Sequence, residues 1–237
     1  MTRNPRKRVA ILISGRGSNM AALIEAARDE SYPAEIVGVI SDRADAAGLD
    51  IAKRAGIATR TVSRIDYPDK QAQETATGKA LTDLGTEIVC LAGYMRLLSA
   101  EFVAQWEGRM INIHPSLLPL FKGLDSHRRA LEAGMRIHGC TVHFVTAETD
   151  GGPIIAQAAV PIAVGDDETS LAARVLKAEH KLYPLALRLV CEGKVRMEGR
   201  KAVFSAFPED ISPEAKLISP RPDTGPVDLE SLARFTP

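Results

Sequence analysis

Asn112 and His114 are the residues of this sequence whose types and spacing offer chemistry most directly. They lie in Ile111-Asn112-Ile113-His114-Pro115-Ser116-Leu117-Leu118-Pro119, which reads as the end of a buried strand entering a proline-stiffened loop. Side chains two apart in an extended strand emerge on one face, so the amide and the imidazole sit together. Ile111 and Ile113 then point the other way. An N–H donor beside an imidazole can polarise a carbonyl and move protons. A structural, hydrogen-bonded histidine at a strand end carries the same signature, so the pair needs partners before it means catalysis.

Two further segments offer such partners. Ser14-Gly15-Arg16-Gly17-Ser18-Asn19 joins the first strand to the first helix. Its glycines let the backbone turn sharply and aim N–H groups outward, and a helix N-terminus favours an anion. The pattern approaches the dinucleotide fingerprint, with Asp42 where a ribose-binding acid would stand. Met20 occupies the third glycine position, however, which disfavours a pyrophosphate, whereas Ser18 and Asn19 suit a single phosphate. An ordinary glycine-rich turn is the other reading. Asp150, in Asp150-Gly151-Gly152-Pro153, is either a plain turn residue or the carboxylate that keeps His114 charged and oriented.

Other chemistry finds less support. His138 and His143 are an odd five apart, on opposite faces of a strand, and form no simple metal clamp. A structural role suits His127 and His138, and His143 fits a place behind the reacting groups. No HExxH or clustered Cys/His set points to a metal. No GxSxG elbow is present, and Ser116 has no base in register, so covalent catalysis is disfavoured.

The elements that must position these groups alternate. Strands are expected at 8–14, 35–41, 58–62, 87–92, 109–114, 139–145 and 154–162, and helices at 19–28, 44–55, 70–84 and 99–106. Strand and helix in alternation predict an α/β fold: an open, mostly parallel twisted sheet with helices on both faces. The strands near 139–145 and 154–162 are joined only by turn chemistry, so they should pair antiparallel toward the C-terminal edge. A long helix over about 169–192 follows, with Pro184 predicted to kink it and Gly193 to cap it. A small hairpin near 195–204 closes the pattern.

Composition frames the rest. The 237 residues carry 30 Lys plus Arg and 30 Asp plus Glu, so no global field favours nucleic acid or a membrane. Cys90, Cys140 and Cys191 stand singly, which fits a reducing compartment. The apolar run from Val9 to Ile13 is too short for a signal peptide or a membrane span. A cytoplasmic protein is expected, without a nucleic-acid or membrane partner.

Taken together, Ile13-Ser14-Gly15-Arg16-Gly17-Ser18-Asn19, Leu91-Ala92-Gly93-Tyr94-Met95-Arg96, Ile111 to Pro119, His138-Gly139 with Val142-His143-Phe144-Val145, and Asp150-Gly151-Gly152-Pro153 form an ordered set. The set resembles the phosphoribosylglycinamide formyltransferases, the folate-dependent enzymes of purine synthesis, over about residues 8–200. The resemblance implies formyl transfer from 10-formyltetrahydrofolate, a cosubstrate, to the glycine amine of 5'-phosphoribosylglycinamide. It implies no metal and no tightly bound cofactor. Asn112, His114 and Asp150 would be catalytic. Gly17, Ser18 and Asn19, with Leu176, Lys177, Ala178 and Glu179 of the long helix, would bind the ribonucleotide. Met95, Arg96, Leu97, Leu98, Asn112, Thr146, Ala147, Glu148, Thr149 and Asp150 would form the folate pocket. Lys70 stands where the family often has a folate-contacting arginine, and lysine lacks the bidentate fork.

The resemblance further implies one formyltransferase domain over 1–204, acting as a monomer or homodimer. Its phosphate half would span about 1–106 and its folate and catalytic half about 107–204. The remaining 205–237 reads as a peripheral, proline-rich tail. Methionyl-tRNA formyltransferase would add a C-terminal tRNA-gripping domain, and formyltetrahydrofolate deformylase a regulatory domain before the first strand; this chain is read as having neither. Met20 argues against a nicotinamide-dependent oxidoreductase. A non-catalytic nucleotide-binding module would leave Asn112, His114 and Asp150 without purpose.

Overall fold

The computed structural model of the chain describes residues 5–205, so the expected tail over 205–237 lies, apart from Ser205, outside the described residues. Seven strands form one sheet: β1 (Lys7–Ile13), β2 (Ala34–Ser41), β3 (Thr59–Thr61), β4 (Ile88–Leu91), β5 (Met110–His114), β6 (Ile137–Phe144) and β7 (Ile154–Pro161). Their order is β3-β2-β1-β4-β5-β6-β7. The first five run parallel, and β6 is antiparallel to both β5 and β7. The helices are α1 (Ser18–Ala27), α2 (Ala47–Arg54), α3 (Lys70–Asp83), α4 (Ala100–Gln105), α5 (Ser126–Glu132) and α6 (Glu168–Cys191). A separate hairpin joins β8 (Val195–Glu198) to β9 (Lys201–Phe204).

Strand periodicity divides the core into two layers. Val9, Ile11 and Ile13 of β1 join one cluster with Leu23, Leu49 and Tyr183, from α1, α2 and α6. Ala10 and Leu12 face the opposite cluster with Leu81, Phe102 and Trp106, on the side of α3 and α4. Every residue of β4 is buried, as a parallel strand covered on both faces requires. On β5, Ile111 and Ile113 enter the first layer, which leaves Asn112 and His114 on the other face, as their spacing predicts.

The long helix α6 is fixed at both ends. Asp167 and Ser170 form a reciprocal capping box at its start. At its end Gly193 takes φ 67°, its N–H donates to the Val190 carbonyl, and the Lys194 N–H donates to the Leu189 carbonyl. The helix runs from Glu168 to Cys191 across Pro184. Within it, the Tyr183 hydroxyl lies 3.0 Å from the Leu91 carbonyl and 3.2 Å from that of Ile111, tying α6 to β4 and β5.

Two elements have no counterpart among the sequence expectations. The seven-residue α5 buries only Ser126 and Ala130, too thin a stripe to register as a helical period. A 3₁₀ turn at Arg64–Asp66 buries nothing and leaves no hydrophobic pattern.

This order places the site. Strands β2 and β3 are added on one side of β1, and β4 and β5 on the other, so the chain reverses direction across the sheet between β1 and β4. Loops leaving the carboxyl ends of β1, β4 and β5 diverge there and open a crevice.

Candidate functional site

The crevice is a cleft of about 1250 Å³. The glycine loop, residues 91–98, Asn112 to Pro115, residues 123–127 and residues 145–150 line it, and α6 contributes Leu176 and Glu179.

At one end the glycine loop leads into α1. Gly17 is the N-cap residue at φ 74°, and no side chain caps the helix. A Cβ at Gly17 would come within 2.9 Å of the Gly48 backbone, so both its conformation and its space demand glycine. Met20, in the third-glycine position, is fully buried beside Gly17 in the core. From the first turn, the Asn19 amide donates to Glu179 Oε2 at 2.7 Å, joining α1 to α6 across the cleft. Burial raises the pKa of Glu179 above the ordinary carboxylate value, and the Asn19 hydrogen bond opposes part of that rise. Asn19 Oδ1 is buried without a hydrogen-bond partner.

At the other end, strand β6 and two loops, those carrying Phe121 with Gly123 and Asp150, converge on the end of β5. His114 Nδ1 lies 3.3 Å from Asp150 Oδ2, and its Nε2 lies 3.0 Å from the Phe121 carbonyl. Asp150 also accepts from the Gly123 N–H at 2.8 Å, and its Oδ1 is 3.6 Å from His143 Nε2. Asn112 Nδ2 and His143 Nε2 are 3.2 Å apart, because β5 and β6 pair Asn112 directly with His143. Phe121 and Asp150 both hold positive φ, 53° and 49°. Aspartate tolerates that region better than phenylalanine does. At Phe121 the strained turn carries the carbonyl that meets His114, while the ring packs edge-on to His138 and under Arg129.

The electrostatics of this end pull in opposite directions. Burial lowers the pKa of His114; the Phe121 carbonyl and Asp150 raise it again but do not offset the burial. A neutral ring can donate to only one of these two acceptors, whereas an imidazolium satisfies both. Burial therefore favours the neutral ring, and negative charge appearing beside it would favour the protonated one. The sequence expectation of a ring kept charged by Asp150 included the carboxylate but not this burial. For Asp150, burial pushes the carboxyl up, but contacts with His143, Gly123 and His114 outweigh it and leave the pKa below its ordinary value.

Most of the residues expected at the site lie in this cleft. Gly17, Ser18, Asn19, Asn112, His114 and Asp150 line it, as do Met95 to Leu98 and Thr146 to Thr149. Met95 and Leu97 are exposed hydrophobics at 65% and 71%, and Leu124, absent from the sequence reading, joins them at 70%. Three exposed apolar side chains in one cleft form a wall for an apolar ligand. Leu176 and Glu179 face the cleft, but Lys177 is exposed elsewhere and Ala178 packs against the core. Lys70 is exposed, lies 3.8 Å from Glu74, and lines a separate groove between α3 and α4.

His143 stands behind Asn112 and Asp150, against both, and the sequence reading does not include the Phe121 carbonyl or the Gly123 N–H. Only the register of β5 against β6 signals the contact of His143 with Asn112, and backbone groups carry no side-chain signal. His127 lines the cleft, with its ring 5.3 Å from that of His138. Burial holds His138 down to about 4. Among the described residues no group of three or more His, Cys, Asp or Glu side chains could hold a metal ion. No described helix is long and apolar enough to cross a membrane.

Comparison with known proteins agrees with this geometry. The formyl transferase family model matches residues 7–187. The trifunctional purine biosynthetic protein adenosine-3 of Bos taurus is 53% identical over 194 residues, 81% of this chain and 19% of that protein. The chain thus spans about a fifth of the length of that relative. The phosphoribosylglycinamide formyltransferase of Escherichia coli is 43% identical over 194 residues, 82% of this chain and 92% of that one. The crystal structure of the phosphoribosylglycinamide formyltransferase from Brucella melitensis superposes with a TM-score of 0.76 at 61% identity, covering 78% of this chain and 96% of that one. A family model spanning most of the chain, and near full-length matches to single-function relatives, establish that this chain belongs to the formyl transferase family, among the phosphoribosylglycinamide formyltransferases.

Proposed function

We propose that the protein transfers the formyl group of 10-formyltetrahydrofolate to the glycine amine of 5'-phosphoribosylglycinamide, giving the N-formyl product and tetrahydrofolate in purine biosynthesis. The observation that carries this reading is the meeting of His114 with Asp150 at 3.3 Å, beside Asn112, in the cleft that also holds the glycine loop. Gly17, Ser18 and Asn19 receive the phosphate at the start of α1, where backbone N–H groups and the helix dipole favour an anion. Glu179 and Leu176 meet the rest of the ribonucleotide. Met95 to Leu98, Thr146 to Asp150 and Leu124 enclose the folate.

In this reading the substrate amine attacks the formyl carbon. A C–N bond forms, and the carbonyl π pair moves onto oxygen. Asn112 N–H and His114 stabilise that oxyanion, and His114 gains proton affinity as the negative charge grows. The proton released from the attacking nitrogen passes through the His114–Asp150 pair to N10 of the folate. The C–N10 bond then breaks and the carbonyl re-forms. Each member of the trio binds, orients or carries a proton, and formyltetrahydrofolate enters as cosubstrate.

The test is release of tetrahydrofolate from 10-formyltetrahydrofolate with and without the ribonucleotide. Release only with the ribonucleotide supports transfer. Equal release without it overturns transfer in favour of hydrolysis by water.

A further inference from the structure

We propose that His143 is a positioning residue that sets which end of the Asn112 amide faces the reacting carbonyl; the proposal rests on the formyl-transfer reading above. His143 is 2% exposed and stands opposite Asn112 in the β5–β6 pairing. Its Nδ1 is 2.8 Å from the Phe144 carbonyl, which can only accept, so Nδ1 carries the proton. In the neutral ring Nε2 is then a lone-pair acceptor, 3.2 Å from Asn112. The end of the amide that meets Nε2 must be its NH₂.

This choice matters because of where Nε2 lies. It lies near both Asn112 and Asp150, 3.2 Å from Asn112 Nδ2 and 3.6 Å from Asp150 Oδ1. The end of the amide turned to His143 is thus the end that meets the nitrogen beside Asp150, whose other oxygen meets His114. One N–H is held by the imidazole, and the second is left for the developing oxyanion. With the amide reversed, its oxygen would face both the carboxylate and the oxyanion. Asp150, whose lowered pKa draws partly on a hydrogen bond from His143, favours a proton on Nε2, and the Phe144 carbonyl favours it on Nδ1; the 2.8 Å contact to the carbonyl outweighs the 3.6 Å contact to the carboxylate, and Gly123 and His114 still hold the carboxylate charged. A relay of Phe144 carbonyl, imidazole and amide thus transmits the direction of a backbone group to the reacting centre.

The experiment combines ¹⁵N NMR of histidine-labelled protein with kinetics of His143→Leu and His143→Gln in the wild-type and Asn112→Ala backgrounds. The expected NMR result is a protonated Nδ1 and an unprotonated Nε2 on His143. His143→Leu is expected to lower kcat by roughly 10- to 100-fold, less than loss of an oxyanion donor outright, with both KM values within about threefold. His143→Gln, whose amide oxygen can accept from Asn112, recovers most of that loss. In the Asn112→Ala background His143→Leu costs less than about threefold, because its target is gone. Equal losses in the two backgrounds, or a proton on Nε2, overturn the proposal. A wild type that binds ribonucleotide and folate but transfers nothing overturns the functional reading instead, and the NMR result still decides the direction of the amide.

Discussion

The two ends of the cleft are built in different ways. The glycine-loop end is built mainly from one segment of chain that leaves β1, turns at Gly17 and presents the first turn of α1; backbone bonds from Gly48 to Gly15 and from Ser14 to Gly93, and the Asn19 bond to Glu179, brace it from outside. The end proposed as catalytic is assembled from β5, β6 and the loops that carry Phe121, Gly123 and Asp150. Local construction tolerates change in neighbouring side chains as long as the backbone keeps its path. Assembled construction fails when any one contact fails, because each group holds the next. The contrast predicts that substitutions at the catalytic end strike rate, and those at the glycine loop strike binding and stability.

The largest effects belong to His114 and Asp150. Asp150→Asn keeps a residue that accepts φ 49° and can still hydrogen-bond, but it removes the charge that answers His114. Turnover is expected to fall by about 10²- to 10⁴-fold, with ribonucleotide KM and melting temperature little changed. His114→Ala is expected to fall in the same range. Steady-state kinetics beside a thermal melt measures both. A His114 variant with near-normal turnover breaks the assignment of this end as catalytic.

Gly17→Ala comes next and should behave in the opposite way. The new methyl meets the Gly48 backbone and sits on a left-handed φ, so a destabilisation of about 1–3 kcal/mol is expected. The turn that aims the α1 N–H groups shifts with it, raising ribonucleotide KM more than it lowers kcat. Denaturant melts and the ratio of the two kinetic effects test this. A variant that loses kcat alone would erase the distinction between the ends.

This division also explains what could be read from sequence. The strand ends, the glycine turn and the shared face of Asn112 and His114 follow from local spacing, and the structure keeps each of them. The approach of Asp150 to His114 depends on antiparallel pairing of β6 with both β5 and β7, which brings together residues 36 apart in sequence. The partner of His143 becomes visible only when the register sets it opposite Asn112. The Phe121 carbonyl and the Gly123 N–H belong to the backbone and have no signature in residue type. Likewise, α5 covers too few buried positions to show a period. Lys177 and Ala178, expected beside Leu176 and Glu179, point away because a helix turns by 100° per residue and only positions three or four apart share a face.

Glu179 links the two kinds of construction, and its charge gives a smaller, pH-dependent effect. Its folded pKa is raised by burial. Stability from the protonated form is therefore fully present below the ordinary value of 4.5 and is lost as pH rises through the higher folded value. Glu179→Gln keeps an oxygen to accept from Asn19 and cannot ionise. Its melting temperature relative to wild type is expected to rise from acid to neutral pH, while ribonucleotide KM worsens. Melts across that range check the sign, and a relative melting temperature that falls with pH breaks it.

Lys70 should give the smallest effect of all. The sequence reading expects a folate contact at this position, yet the side chain is exposed, paired with Glu74 and in the groove between α3 and α4 rather than in the cleft. Glu74, though largely buried, keeps its hydrogen bonds from the Ser99 N–H and hydroxyl when the half-exposed lysine 3.8 Å away is removed, so Lys70→Ala leaves stability nearly unchanged. Folate KM is expected to stay within about twofold, since the side chain lies outside the cleft wall and an exposed charge is screened by salt. Lys70→Arg supplies the sharper arm. If the longer, forked side chain lowers folate KM severalfold in low salt and loses that gain in high salt, the catalytic end extends past its wall to a charged site at α3. If it does not, folate recognition stops at Met95, Leu97 and Leu124, and this part of the cleft selects its ligand by apolar contact.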